Sequence, residues 1–241
     1  MIKNIYSPNF DLKKRPKNSI KFIIIHYTGM KKQSQAISRL IDINSKVSCH
    51  YFIKNNGNVL RMVPEKYIAW HAGKSKWKKF NSLNKHSIGI EINNPGHDHG
   101  YKSFNQKQVR SLLSLLKDLK KKFNIDKKNI LGHSDIAPDR KKDPGEKFPW
   151  SLLAKSKIIY WHSSNINELK KSRKVRINKK LEHVFIKNLY RIGYCKISGR
   201  NVEKSNKILT TAFQRKYRNQ LINGKIDKEC FLISKNILKA K

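Results

Sequence analysis

The segment Gly132-His133-Ser134-Asp135-Ile136-Ala137-Pro138-Asp139-Arg140-Lys141-Lys142-Asp143-Pro144-Gly145 gathers groups able to do chemistry. It places a histidine at a strand end and an aspartate ten residues later, across a loop that carries proline. Ten residues is not a helical ligand spacing, and the HExxH pattern of zinc proteases is absent. A loop that doubles back can still bring His133 and Asp143 onto one ion. His26, after the apolar run Phe22-Ile23-Ile24-Ile25, is then the natural third ligand. Two imidazoles and a carboxylate leave zinc an open fourth position for water, as hydrolytic sites need. Zinc also brings its water's pKa to about 7. The competing reading is a structural loop with a surface histidine.

These residues need elements to position them. The run at 22–25 reads as a buried strand, short and β-rich, ending at polar His26-Tyr27-Thr28. Residues 34–46 read as a helix with Ala36, Ile37, Leu40, Ile41 and Ile43 on its apolar face. Residues 51–63 read as a hairpin around Asn55-Asn56-Gly57-Asn58, a turn tolerant of positive φ. A strand is expected at 87–92, a helix at 105–123 capped by Ser103 or Asn105, and a strand at 129–131. The loop from 132 to 149 follows. Strands and helices interleave, so the fold class is a mixed α/β domain, a central β-sheet flanked by helices. Residues 163–174 are polar and suit a linker. Helices at 181–192, 202–217 and 227–238 make a small three-helix domain.

The chain has 241 residues and a formal charge of +38, with 54 Lys+Arg against 16 Asp+Glu. Such basicity invites a nucleic-acid reading. Compositional bias is the blander explanation, since 43 Lys stand against 11 Arg beside 29 Ile and 23 Asn. No helix-turn-helix, RNP or zinc-finger pattern supports specific nucleic-acid binding. Segment 131–150 balances its charges, so the excess lies away from the candidate chemistry. Cys49, Cys195 and Cys230 form no CxxC pair and no disulfide framework. The N-terminus lacks the apolar stretch of a Sec signal peptide, and no run reaches a membrane span. A cytoplasmic monomer is the expectation, with the periplasm or cell envelope by a non-Sec route as the alternative.

His26-Tyr27-Thr28, His50-Tyr51-Phe52-Ile53, Trp70-His71-Ala72-Gly73, Ile88-Gly89-Ile90-Glu91 and the Gly132–Gly145 segment occur in a familiar order. Together they closely resemble the zinc N-acetylmuramoyl-L-alanine amidases related to peptidoglycan-recognition proteins, the AmpD and AmiD type. The resemblance covers roughly residues 20–150. It implies a peptidoglycan-recognition-protein-like fold, zinc on His26, His133 and Asp143, Glu91 as catalytic acid/base and Lys141 as catalytic lysine. The implied reaction cleaves the amide between N-acetylmuramic acid and L-alanine, in peptidoglycan or an anhydro-muropeptide. Glu91 would move the water proton to nitrogen, and Lys141 would face the developing oxyanion.

His71 and His50, each beside an aromatic, are candidates for contacting sugar or peptide, or for the pocket wall. Asn93, two after Glu91 on a strand, is an amide-binding candidate. Arg140 either holds a stem-peptide carboxylate or braces the loop. Asp135 either orients a ligand imidazole or caps the loop.

Leu189-Tyr190-Arg191-Ile192-Gly193-Tyr194, Thr211-Ala212-Phe213-Gln214-Arg215-Lys216-Tyr217 and Asn223-Gly224-Lys225-Ile226-Asp227 resemble a three-helix peptidoglycan-binding domain. The expected organisation is an amidase domain at 1–162, a linker at 163–176 and this module at 177–241. A non-catalytic peptidoglycan-recognition protein is the main alternative, although all three ligand positions are filled.

Overall fold

The computed structural model describes residues 2–239. In chain order it opens with β1 (Ile2–Asn4), β2 (Phe10–Asp11), β3 (Phe22–Tyr27), α1 (Gln33–Ile41), β4 (Tyr51–Ile53) and β5 (Val59–Arg61). Three two-residue strands follow, β6 (Ile68–Ala69), β7 (Lys76–Trp77) and β8 (Phe80–Asn81). Next come β9 (Ser87–Ile92), α2 (Gln106–Phe123), β10 (Ile130–Gly132), α3 (His133–Ile136) and α4 (Trp150–Lys155). The C-terminal part holds α5 (Ile166–Ser172), α6 (Lys179–Ile192), α7 (Val202–Tyr217) and α8 (Lys228–Lys239).

Six strands form one mixed sheet in the order β1-β5-β4-β9-β3-β10. β4, β9, β3 and β10 are parallel, and β5 folds back antiparallel onto β4 as the hairpin pattern predicts. Alternate residues of a strand face opposite sides. Ile23 and Ile25 of β3, with Ile88, Ile90 and Ile92 of β9, therefore meet Val109, Leu112, Leu115, Leu116 and Leu119 of α2. Phe22, Ile24 and Leu131 meet a second cluster built from Phe185, Leu189, Leu209, Phe213 and Ile233 of the C-terminal helices. Both faces of the central strands are covered, which is why 22–25 is apolar without alternation. The architecture is mixed α/β, a sheet flanked by helices.

α2 begins where the sequence places it, with the Asn105 side chain accepting from the Gln108 amide. α1 stops five residues before the reading of 34–46 would end. Asp42 leaves the helical region, and its carboxylate accepts the Asn44 amide in a local turn. Residues 163–176, expected as a linker, instead carry α5, capped by Asn165, with Leu169 buried in the second cluster. Polar composition hid a helix that needs one apolar anchor. The three cysteines are free. Among the described residues no helix is long and apolar enough to cross a membrane.

Candidate active site

The register pairs His26 with Glu91, and both lie on the sheet face of Phe22, Ile24 and Gly89. They stand at the carboxyl ends of parallel β3 and β9, with His133 just beyond β10. This is where open α/β sheets collect ligands. The loop after β10 does double back, because the Ser134 amide donates to the Asp143 carbonyl at 2.8 Å.

Three buried atoms consequently converge. His26 Nδ1 lies 2.9 Å from His133 Nδ1 and 3.0 Å from Asp143 Oδ2, and His133 Nδ1 lies 3.1 Å from the same oxygen. Their other ring nitrogens are already engaged. His26 Nε2 faces His71 Nδ1 at 3.0 Å, and His133 Nε2 donates to the Ala72 carbonyl at 3.1 Å. With protons held at Nε2, both Nδ1 atoms turn lone pairs towards the carboxylate. Three lone-pair donors facing one point fit a cation, and this donor set suits zinc. Burial, then the neighbouring His133, lowers His26 to about 4 and keeps it neutral. Burial alone would raise Asp143, but the adjoining imidazoles, His133 foremost, hold it below the ordinary range.

Glu91 lies in the same cleft of about 380 Å³ as this triad, Lys141 and Arg140. Its Oε2 is buried and has no partner among the described residues. Burial, reinforced by the Asp143 charge and opposed by Lys141, pushes its carboxyl up to about 8. Such a group can hold or release a proton near neutrality. Lys141 lines the cleft half-exposed.

The remaining candidates divide between the cleft wall and the scaffold behind it. His71 continues a chain behind His26: its Nε2 meets Ser87 Oγ at 3.2 Å, and Ser87 donates to the Leu83 carbonyl at 2.6 Å. It backs the His26 imidazole from the cleft wall. Gly89 makes this possible, since a Cβ there would stand 2.3 Å from the His71 ring. Glycine in a strand interior costs about 0.5–1 kcal/mol, less than so severe an overlap. His50 is fully buried, accepts from the Gly89 amide at 3.0 Å and sits beside Arg15, so it belongs to the wall. Asn93 turns from the cleft and donates to Asn55 Oδ1 at 2.8 Å. Arg140 grips the Ala72 and Lys74 carbonyls and thus braces the loop that holds His133. Asp135 touches neither ligand imidazole; it accepts the Gly132 amide at 2.8 Å and pairs with Lys216.

The family model described as N-acetylmuramoyl-L-alanine amidase matches residues 16–146, over half of the chain and all of this constellation. The chain belongs to the N-acetylmuramoyl-L-alanine amidase family. The amidase is 32% identical over 231 residues to AmiD of Escherichia coli K12, spanning 91% of this chain and 82% of that relative. Among solved structures it resembles E. coli AmiD in complex with the substrate anhydro-N-acetylmuramic acid-L-Ala-D-γ-Glu-L-Lys. That match has a TM-score of 0.80 and 30% identity, over 95% of this chain and 91% of the other. It also resembles AmpDh3 of Pseudomonas aeruginosa, with TM-score 0.80 and 25% identity, over 98% and 97% of the two chains. Both structural matches extend through the C-terminal helices of the amidase.

The sequence offered little for the orienting role of His71. Its one signal is Gly89, a small residue inside a strand with apolar neighbours, which marks a close approach.

Proposed function

We propose that this amidase hydrolyses the bond between the lactyl group of N-acetylmuramic acid and L-alanine in muropeptides, the 1,6-anhydro form included. His26, His133 and Asp143 would hold the zinc. The observation that carries the reading is their convergence beside an unpartnered Glu91 oxygen in one cleft. Bound there, zinc supplies Lewis-acid polarisation and a more acidic water. Glu91 takes a proton from the attacking water as its oxygen bonds to the carbonyl carbon. Glu91 then returns that proton to the alanine nitrogen as the C–N bond breaks. The Lys141 ammonium stabilises charge developing on the carbonyl oxygen. Arg140 and His71 keep the ligand side chains aimed. The similarity to AmiD with its anhydro-muropeptide supports that substrate class for this chain.

We read residues 177–241 as a peptidoglycan-binding-like module beside the amidase domain at 1–162, supported by the reach of the AmiD match over both.

Incubation with an anhydromuramoyl-peptide, followed by mass spectrometry, tests the activity. Free stem peptide should appear with zinc and vanish with a chelator. No release from protein carrying zinc would overturn the reading. The rate on anhydro-muropeptide against intact sacculi separates a recycling role from a wall-facing one: strong preference for the first favours recycling.

A further inference from the structure

The C-terminal helices do more than pack against the sheet. Within the seam lies a polar knot centred on Asp135, which is 1% exposed. Its Oδ1 accepts from the Tyr194 hydroxyl at 2.7 Å, and its Oδ2 from Lys216 Nζ at 2.9 Å and the Gly132 amide at 2.8 Å. Lys216 also donates to the Ile130 carbonyl at 3.1 Å and sits 4.6 Å over the Trp150 ring. Tyr194 is held in turn by Trp77, the ring centroids 5.0 Å apart. Two side chains from the C-terminal part therefore grip both ends of the short strand β10 and the start of α3. His133 is the next residue after Gly132.

α3 has only four residues, too few to fix its own orientation. Its leading amide is capped by Asp135, whose carboxylate is buried beside a single lysine ammonium. A buried carboxylate that loses its partner cation turns towards water. That rotation would release the Gly132 amide. The Ser134 amide bonds to the Asp143 carbonyl, so movement of this corner would carry two ligands relative to His26 on β3.

We propose that Tyr194 and Lys216 are positioning residues for the metal site: through Asp135 they set the β10–α3 corner that aims His133. The C-terminal helices are then a working part of the catalytic centre as well as any appended binding module. The inference rests on reading His26, His133 and Asp143 as zinc ligands.

The test measures zinc affinity by competition with a chromophoric chelator, and the visible spectrum of the cobalt-substituted protein, in full-length variants. Tyr194→Phe removes one hydroxyl and keeps the ring; Lys216→Met removes the charge and keeps the length. Each should weaken zinc binding about tenfold or more, the range seen when a partner of a metal ligand's surroundings is lost. Each should also shift the cobalt bands. Adding Asp135→Asn to Lys216→Met removes the uncompensated charge and should restore part of the loss. As a control, Ser234→Ala breaks the buried Asn188–Ser234 bond at 3.1 Å, inside the C-terminal core. It should lower Tm and leave zinc affinity unchanged. Should Lys216→Met fail to fold, Tyr194→Phe decides. Unaltered affinity and spectrum in Tyr194→Phe, with zinc bound normally by the wild type, would overturn the proposal alone. Wild-type protein that takes up no zinc would overturn the metal reading beneath it as well.

Discussion

A buried carboxyl oxygen without a hydrogen bond costs about 1–3 kcal/mol, so Glu91 is expensive to keep for structure alone. In the proposed mechanism, proton transfer to the leaving amine accounts for the expense. Glu91→Gln should cut kcat by about 10²–10⁴-fold, the usual worth of a general acid/base, while metal analysis finds zinc content unchanged. Loss of zinc in that variant would instead make Glu91 a ligand. His71 should behave in the opposite way. His71→Leu removes the acceptor for His26 Nε2–H, and zinc affinity should fall about 10–100-fold in a chelator competition. Strand ends and a turn-rich loop pointed to His26, His133 and Asp143, whereas Glu91 and Lys141 were singled out only by the family resemblance; all five line one cleft. His71 and His50 were ambiguous there, since a histidine beside an aromatic reads alike whether it meets substrate or backs a ligand. Their roles depend on what lies across the sheet face.

At the scale of elements, the two central strands set the site by parity: Ile23, Ile25, Ile88 and Ile90 face α2, while His26 and Glu91 follow Phe22, Ile24 and Gly89 to the carboxyl end of the other face. Gly89→Ala should displace the His71 ring, destabilise the fold by about 1–3 kcal/mol in a denaturant melt and weaken zinc binding together. A second element contact responds to pH. Glu65, after β5, accepts from Tyr51 of β4 and Lys122 of α2. Burial opposes its ionisation, but those two hydrogen bonds outweigh it and hold the carboxyl at about 2. A carboxyl lowered in the folded state adds stability above its unfolded pKa of roughly 4.3. That contribution is lost as pH falls through about 2. Melts from pH 5 to pH 2 should thus lose stability less steeply in Glu65→Gln than in the wild type. The strands at 22–25 and 87–92 and the helix at 105–123 were readable because period and capping agreed. The two-residue strands and α5 were not, being too short for periodicity and held by contacts distant in sequence.

For the whole molecule, the +38 charge proved a poor guide to function, because segment 131–150 balances its acidic and basic residues. The three C-terminal helices were visible as separate amphipathic stretches. Their union with the sheet was not, since Phe22, Ile24 and Phe213 look alike as core residues whichever domain they join. The buried Lys216–Asp135 pair was hidden for a similar reason: one lysine among 43 carries no mark of burial. Zinc-dependent cleavage at the convergence of His26, His133 and Asp143 is open to direct measurement. Purified protein, stripped by a chelator and then reloaded with one equivalent of zinc, should be assayed on an anhydromuramoyl-peptide by mass spectrometry. A stem peptide beginning with L-alanine should be released by the reloaded protein and not by the stripped protein. Equal release from both, or none from protein shown to hold its zinc, would contradict zinc-dependent cleavage at this site.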